Sequence, residues 1–474
     1  MVFTNDRNQV LDAYYNSNPP LVLPCDNLYE ASRWHLTPYG IQETIYWFIK
    51  MLVLPGLVCV FIILFYILPT FNNPIFDYIN SGLTYVASIF IVAWMRESIR
   101  ARVNSIRRQD RLTPGPLNNL ESVRFRIGFV GDIMMMRGHD LVFHDDVINF
   151  FDDVDAIIGN LEGIVTTEDP FLAQQRHEQD TNNDILTQLP RLLSHNVNWL
   201  LCLSNNHSID FGNEAFHNSL MHIQNTPRFD VFGRNDVPNV LVQGLPINIT
   251  TATEWSNQRT WTCISRYRNT ELWSYYRDNR FNIIFPHWGY ENERYVRRRI
   301  QLDATALLTG QPQVYTRYQT FIRQHLEKEI LPDPNRRWDM IFGHHSHVRQ
   351  PLMRVTENLT DDSGNNFQLN KFVAFSGGNF TSGVTFFRRK KHIYGYILKC
   401  EIGPLSGHPN QLAVGNVEWQ GTLNCKHRGA ARSTRIVRFH DRTYRTYLHY
   451  LCSLLIGIGI IILILVLRYI DAML

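Results

Sequence analysis

Five short turns in this chain collect the side-chain types that bind metal ions. Gly131-Asp132 closes the apolar run FRIGFV with a carboxylate, and Gly159-Asn160-Leu161-Glu162-Gly163 follows the run DAII with an amide and a second carboxylate. Ser204-Asn205-Asn206-His207-Ser208-Ile209-Asp210 adds two amides, an imidazole and another carboxylate. Pro286-His287-Trp288-Gly289-Tyr290-Glu291 and Gly343-His344-His345-Ser346-His347 supply four further imidazoles. Carboxylate and amide oxygens and imidazole nitrogens are the ligands of hard or borderline divalent cations. Any one of these turns has a structural explanation, since an Asp after a strand also caps helices. Five in succession are hard to explain that way, and the histidine cluster is the most specific of them.

These turns need a scaffold that ends several strands at one edge. From Phe125 the chain alternates short apolar runs (FRIGFV, AIIG, WLLCL, DVFG, FNIIF, DMIF and KFVAFS) with polar, glycine-bearing turns. Buried strands of an α/β domain read this way. Longer segments with helical spacing, such as 318–329, lie between them. In such folds ligands gather at the carboxyl ends of the strands, which is where the candidate residues fall.

The remaining regions differ in texture. The chain has 474 residues, 45% hydrophobic and 19% charged, so a large core is available and wholesale disorder is excluded. A formal net charge of +3 gives no reason to expect a nucleic-acid partner. The seven cysteines include no CxxC pair and read as free thiols. Residues 1–44 are polar and proline-bearing, and 112–124 form a linker. Three apolar runs, at 45–70, 78–95 and 447–467, have the length and composition of transmembrane helices, the middle one diluted by polar residues. Arginine clusters follow the second run and precede the third, so the positive-inside rule predicts an integral, multi-pass protein with its domain on the cytosolic face of a lipid bilayer. Sequons at Asn248 and Asn358 would suit an exported domain, and the arginines outweigh them in this reading.

The motifs GDIMM, GNLEG, SNNHSIDFG, GRND, HWGYENE, GHHSHVRQP and SGGNF, in that order, resemble the CapA domain of poly-γ-glutamate capsule synthesis proteins, within the calcineurin-like metallophosphoesterases. The resemblance runs from Phe125 to about Lys399, inside a domain expected at 125–425. It implies a four-layer α/β/β/α sandwich with a metal centre at one edge, holding one or two divalent ions (Mn, Zn, Fe or Mg). By the resemblance, Asp132 is a terminal metal ligand and Glu162 a bridging one. Asn206, His287, His345 and His347 complete the set, and His207 is the general acid. His344 does not fit the motif register as well. Arg234 and Asn235 are expected to face the substrate, a guanidinium being suited to carboxylate or phosphate. Met134 stands where the wider superfamily has a histidine ligand, which puts one of two metal sites in question.

Two functions follow. One is a metal-dependent hydrolase of a phosphoester or of an amide such as a γ-glutamyl bond, acting on an anionic small molecule or polymer. The other is a non-catalytic CapA-like subunit or binding module working with other membrane subunits. The full set of metal-ligand types favours the first.

Overall fold

The computed structural model describes residues 112, 114–134, 140–166, 180–182, 185–193, 197–255, 272–290, 296–314, 333, 336–361, 363–381, 394–426 and 431–437. Two mixed sheets make up most of this region. The first has ten described strands, in the order β3 (Asp140–Phe143), β18 (Ala431–Val437), β17 (His408–Lys426), β16 (Tyr394–Leu405), β2 (Phe125–Ile133), β4 (Ala156–Leu161), β7 (Asn198–Cys202) and β8 (Phe229–Phe232). In the same sheet β1 (Gly115–Pro116) joins β17 and β15 (Asn379–Thr381) joins β2. The second sheet runs β13 (Leu352–Thr360), β14 (Asn366–Ala374), β12 (Met340–Phe342), β11 (Phe281–Ile284), β10 (Ile247–Thr250) and β9 (Asn239–Leu241). A small third sheet pairs β5 (Ile164–Thr166) with β6 (Asp180–Asn182).

Both sheets have a parallel centre: β2, β4, β7 and β8 in one, β10, β11, β12 and β14 in the other. Each of the seven apolar runs read from the sequence lies in one of these strands or overlaps it. Side chains alternate across each strand, and the alternation sorts the core into layers. Ile127 and Phe129 of β2, Ile158 of β4 and Leu200 of β7 face Ile249, Phe281, Ile283, Met340 and Phe342 of the second sheet. Phe342 stacks on Phe129 at 5.0 Å and on Phe285 at 5.6 Å, joining the sheets through aromatic faces. The alternate residues Val130, Ile157, Trp199 and Leu201 face outward against α1 (Asp145–Phe150), α2 (Ile185–Gln188) and α3 (Gly212–Gln224). On the far side, Ile284, Ile341 and Val373 pack on Ile300, Ala304, Leu307 and Leu308 of α4 (Arg298–Thr309). The order is helices, sheet, sheet, helix. Edge hairpin β13–β14 has one solvated face, seen in the alternating burial along β13.

The expected membrane topology is corrected here. Among the described residues no helix is long and apolar enough to cross a membrane. The longest, α3, has 13 residues, roughly 20 Å at 1.5 Å per residue, against a hydrocarbon core of about 30 Å. That finding overturns the integral, multi-pass localisation and, with it, the flanking-anchor part of the fold expectation. The runs at 45–70, 78–95 and 447–467, the segment 1–44 and the helical pattern at 318–329 lie outside the described residues. So do the arginine clusters, apart from Arg432 and Arg435 in β18. Residues of the 112–124 segment join the sheets: Leu112 N donates to Leu352 O at 3.1 Å and Leu117 N to Gly415 O at 2.6 Å. Cys202 and Cys400 are buried free thiols, and burial pushes the Cys202 thiol up to about 12.

Candidate metal centre

The candidate ligands sit where the parallel strands end. Asp132 is the last residue but one of β2, where a register irregularity that begins after Phe129 ends in the pairing with β4. A bulge re-aims the residue that follows it. Below it β15 passes close, with Asp132 N donating to Gly378 O at 2.9 Å. A Cβ at Gly131 would collide with that carbonyl, so glycine is required there. Glu162 follows β4, Asn206 and His207 follow β7, His287 follows β11, and His344, His345 and His347 follow β12. His345 and His347 hold φ of 98° and 56°, left-handed conformations that cost of order 1–3 kcal/mol each in a non-glycine residue. The surrounding packing sustains that strain, and both imidazoles face the carboxylates.

Five of the six predicted ligands converge in two groups. Asp132, Glu162 and His347 form one, Glu162, His287 and His345 the other; in each group the ligand atoms lie within 4.8 Å of one another, and all five residues are buried. Glu162 belongs to both. His347 Nδ1 is 3.3 Å from Asp132 Oδ2, and its Nε2 is 3.4 Å from Glu162 Oε1. Asn206, the sixth, touches the second group, its Oδ1 2.8 Å from His287 Nε2. His207 is in neither group, and its Nδ1 lies 2.6 Å from Asp210 Oδ2. Arg234 is not brought into the cluster. It donates from Nη2 to Asp236 Oδ2 at 2.8 Å and from Nε to Oδ1 of the same carboxylate. Asn235 is exposed.

Other residues set this geometry. Asn160 donates Nδ2 to Asp132 Oδ1 at 2.9 Å and lies 3.5 Å from Glu162 Oε2, so one amide spans the two carboxylates. Asn205 donates to Asn160 Oδ1 at 3.1 Å and accepts from His207 N at 3.1 Å, linking the ends of β2, β4 and β7. Asn379 Oδ1 is 3.2 Å from His347 Nδ1. His344 is wholly buried, 2.7 Å from His287 Nδ1 and 3.3 Å from the Phe285 carbonyl oxygen, which makes it a support for His287. The sequence signals for these were short: the asparagine of GNLEG, the His-x-x-Asp spacing of 207 and 210, and the asparagine of SGGNF.

Electrostatics favour metal binding. Burial, followed by the positive fields of His345, His344 and His347, holds the His287 imidazole well below its ordinary value. Burial likewise lowers His344 to about 4, against the opposing pull of Asp132. Burial pushes the Asp132 carboxyl up, but the His347 contact, His344 and Asn160 together leave it below its ordinary value. Neutral imidazoles beside ionised carboxylates are the protonation states in which these groups bind cations. Asp132 Oδ2 is wholly buried and makes no well-formed hydrogen bond. The donor set and its spacing fit one or two divalent ions.

Residues 126–309 match the family described as bacterial capsule synthesis protein PGA_cap. That stretch is similar to CapA-type domains and covers less than half of the chain. The His344–His347 turn and Asn379 lie beyond the matched stretch, and the fold brings His347 to Asp132 and Glu162 inside it, with Asn379 against His347. No curated protein matches the chain. Solved structures similar to it include a hypothetical protein from Thermus thermophilus, at 12% identity and TM-score 0.30, over 62% of this chain and 99% of that one. Another is a putative 5'-nucleotidase from Staphylococcus aureus in complex with alpha-ketoglutarate, at 13% identity and TM-score 0.30, over 62% of this chain and 54% of that one.

Proposed function

We propose that the chain is a metal-dependent hydrolase of the metallophosphoesterase-like kind, acting on a phosphoester or on an amide such as a γ-glutamyl bond in an anionic small molecule or polymer. One observation carries the reading: two buried carboxylate–imidazole groups share Glu162. Asp132, Glu162 and His347 would hold one cation, and Glu162, His287, His345 and Asn206 a second. Bound there, divalent ions supply Lewis-acid polarisation and a water of lowered pKa. The protein supplies the rest. Asn160 holds the two carboxylates at a fixed separation, and His344 fixes the ring of His287. Asp210 holds His207 by Nδ1, so a proton delivered to a leaving atom travels from Nε2.

Met134, buried beside Asp132, offers a thioether in place of nitrogen or oxygen and weakens the case for a full second site. That substitution is the observation favouring a binding module over an enzyme. Metal analysis of the purified protein, alongside a His345→Ala/His347→Ala variant, tests the centre. Assay of phosphoester and γ-glutamyl substrates with Mn²⁺, Zn²⁺ or Mg²⁺ tests the activity. Bound metal lost in the variant, with metal-dependent turnover in the parent, is the expected result. Metal content unchanged by the double substitution would sink the centre, and metal without turnover on either substrate class would leave the binding module.

A further inference from the structure

Trp255 stands where the core does not require a tryptophan. Trp199, Trp288 and Trp338 are almost wholly buried, and Trp288 donates its indole N–H to Phe375 O at 3.1 Å. Trp255 is only half-buried, just past the end of β10, and its ring lies over that of His345 with centroids 6.0 Å apart and planes 24° from parallel. The ring is held on several sides. Its Nε1 donates to Gly289 O at 2.7 Å, and its backbone N donates to Thr253 Oγ1 at 3.1 Å. Tyr290 packs edge-on at 5.5 Å and is itself covered by the Arg297 guanidinium, 3.7 Å from its ring centroid. The backbone beneath is clasped as well, with Glu254 N donating to His287 O at 2.9 Å.

A fixed, half-exposed indole next to a candidate metal ligand contacts a ligand at little entropic cost. Its face attracts flat rings and gains much less from a short alkyl group. We infer that Trp255, braced by Tyr290, is a stacking wall for a flat ring carried by the substrate within a few bonds of the group held at the metal centre. This rests on the metal centre proposed above. The competing role is purely structural, with the indole present to keep His345 in place.

Phenylphosphonate and methylphosphonate, both inert to hydrolysis, separate the two roles by calorimetric titration into the full chain loaded with Mn²⁺. The parent and Trp255→Phe should bind phenylphosphonate about 5-fold more tightly than methylphosphonate. In Trp255→Leu that preference should fall below about 2-fold, with methylphosphonate affinity and Mn²⁺ stoichiometry unchanged. Equal weakening of both phosphonates, or loss of Mn²⁺ in the leucine variant, would make Trp255 a support for His345 and overturn the wall. A Mn²⁺-loaded parent that shows no phenyl preference, or binds neither phosphonate, overturns it too. A parent that binds no Mn²⁺ fails the metal centre itself, which is a separate and recognisable result.

Discussion

At the scale of single residues, the centre depends on side chains that hold ligands as much as on the ligands. His207 lies next to Asn206 but its Nδ1 is engaged by Asp210, and it belongs to neither of the two ligand groups. His207→Ala should keep bound metal and reduce turnover by about 10²–10⁴, the usual contribution of a positioned proton donor. Metal lost from that variant would make His207 a ligand. Asn160→Leu should weaken metal affinity by about 10–100-fold, because Asp132 and Glu162 lose the amide that spaces them. A metal dissociation constant unchanged in Asn160→Leu would show that the bridge is incidental. The residues that converge were legible in the sequence because carboxylates and imidazoles at strand ends have few other uses in number. The holding residues were not, because an asparagine declares its role only through its partner. Asn160 finds that partner on β2, 28 positions away, and Asn379 finds His347 32 positions away. His344 sits in the most conspicuous motif of the chain, yet its burial against His287 and Phe285 makes it a buttress.

At the scale of elements, the turn carrying His287 is tied to α4 through buried charge. Arg299 donates to Glu254 Oε1 at 2.9 Å and to Asp303 Oδ2 at 3.1 Å, and Glu254 Oε2 accepts from Gly289 N at 2.9 Å. Burial opposes the Arg299 charge, but Glu254 and Asp303 raise it well above its ordinary value. Arg299→Met keeps most of the side-chain volume and strands two buried carboxylates, a loss of about 3–5 kcal/mol. Denaturant unfolding should show that loss, and hydrogen exchange should rise at Gly289 before it rises in β11. An Arg299→Met variant as stable as its parent would mean the carboxylates find other partners. The strands were readable because parallel strands buried on both faces become continuous apolar runs. This clasp was not, since Glu254 follows β10 and Arg299 lies 45 positions on, in a helix whose polar and apolar residues give no sign of the pairing.

At the scale of the whole molecule, acid acts on the fold through groups of opposite sense. His287 and His344 are held neutral by burial, so the unfolded chain takes up their protons first and stability falls as the pH drops through their ordinary range. Asp339 works the other way. It begins the β12 run at the end opposite the metal centre, accepts from Asn282 N at 2.7 Å, and is raised by burial from 3.8 to about 6 despite the nearby Lys371 charge. The sign follows from proton counts. Between about pH 4 and 6 the folded state holds a proton on Asp339 that the unfolded chain has released, so this group loses the fold stability as the pH rises through that window. Above about pH 6 the fold carries a half-buried carboxylate at a cost of at most about 3 kcal/mol, the ceiling set by a shift of some two pH units. Asp339→Asn keeps an oxygen for the Asn282 N–H and removes the charge. It should therefore be more stable than the parent at pH 7, with an advantage that shrinks steadily and vanishes near pH 4. Because the histidines titrate alike in both proteins, they cancel in the difference between the two denaturation midpoints measured across about pH 4–7. A difference that stays flat with pH, or that grows toward acid, would show that Asp339 is ionised throughout and that its Lys371 neighbour outweighs its burial.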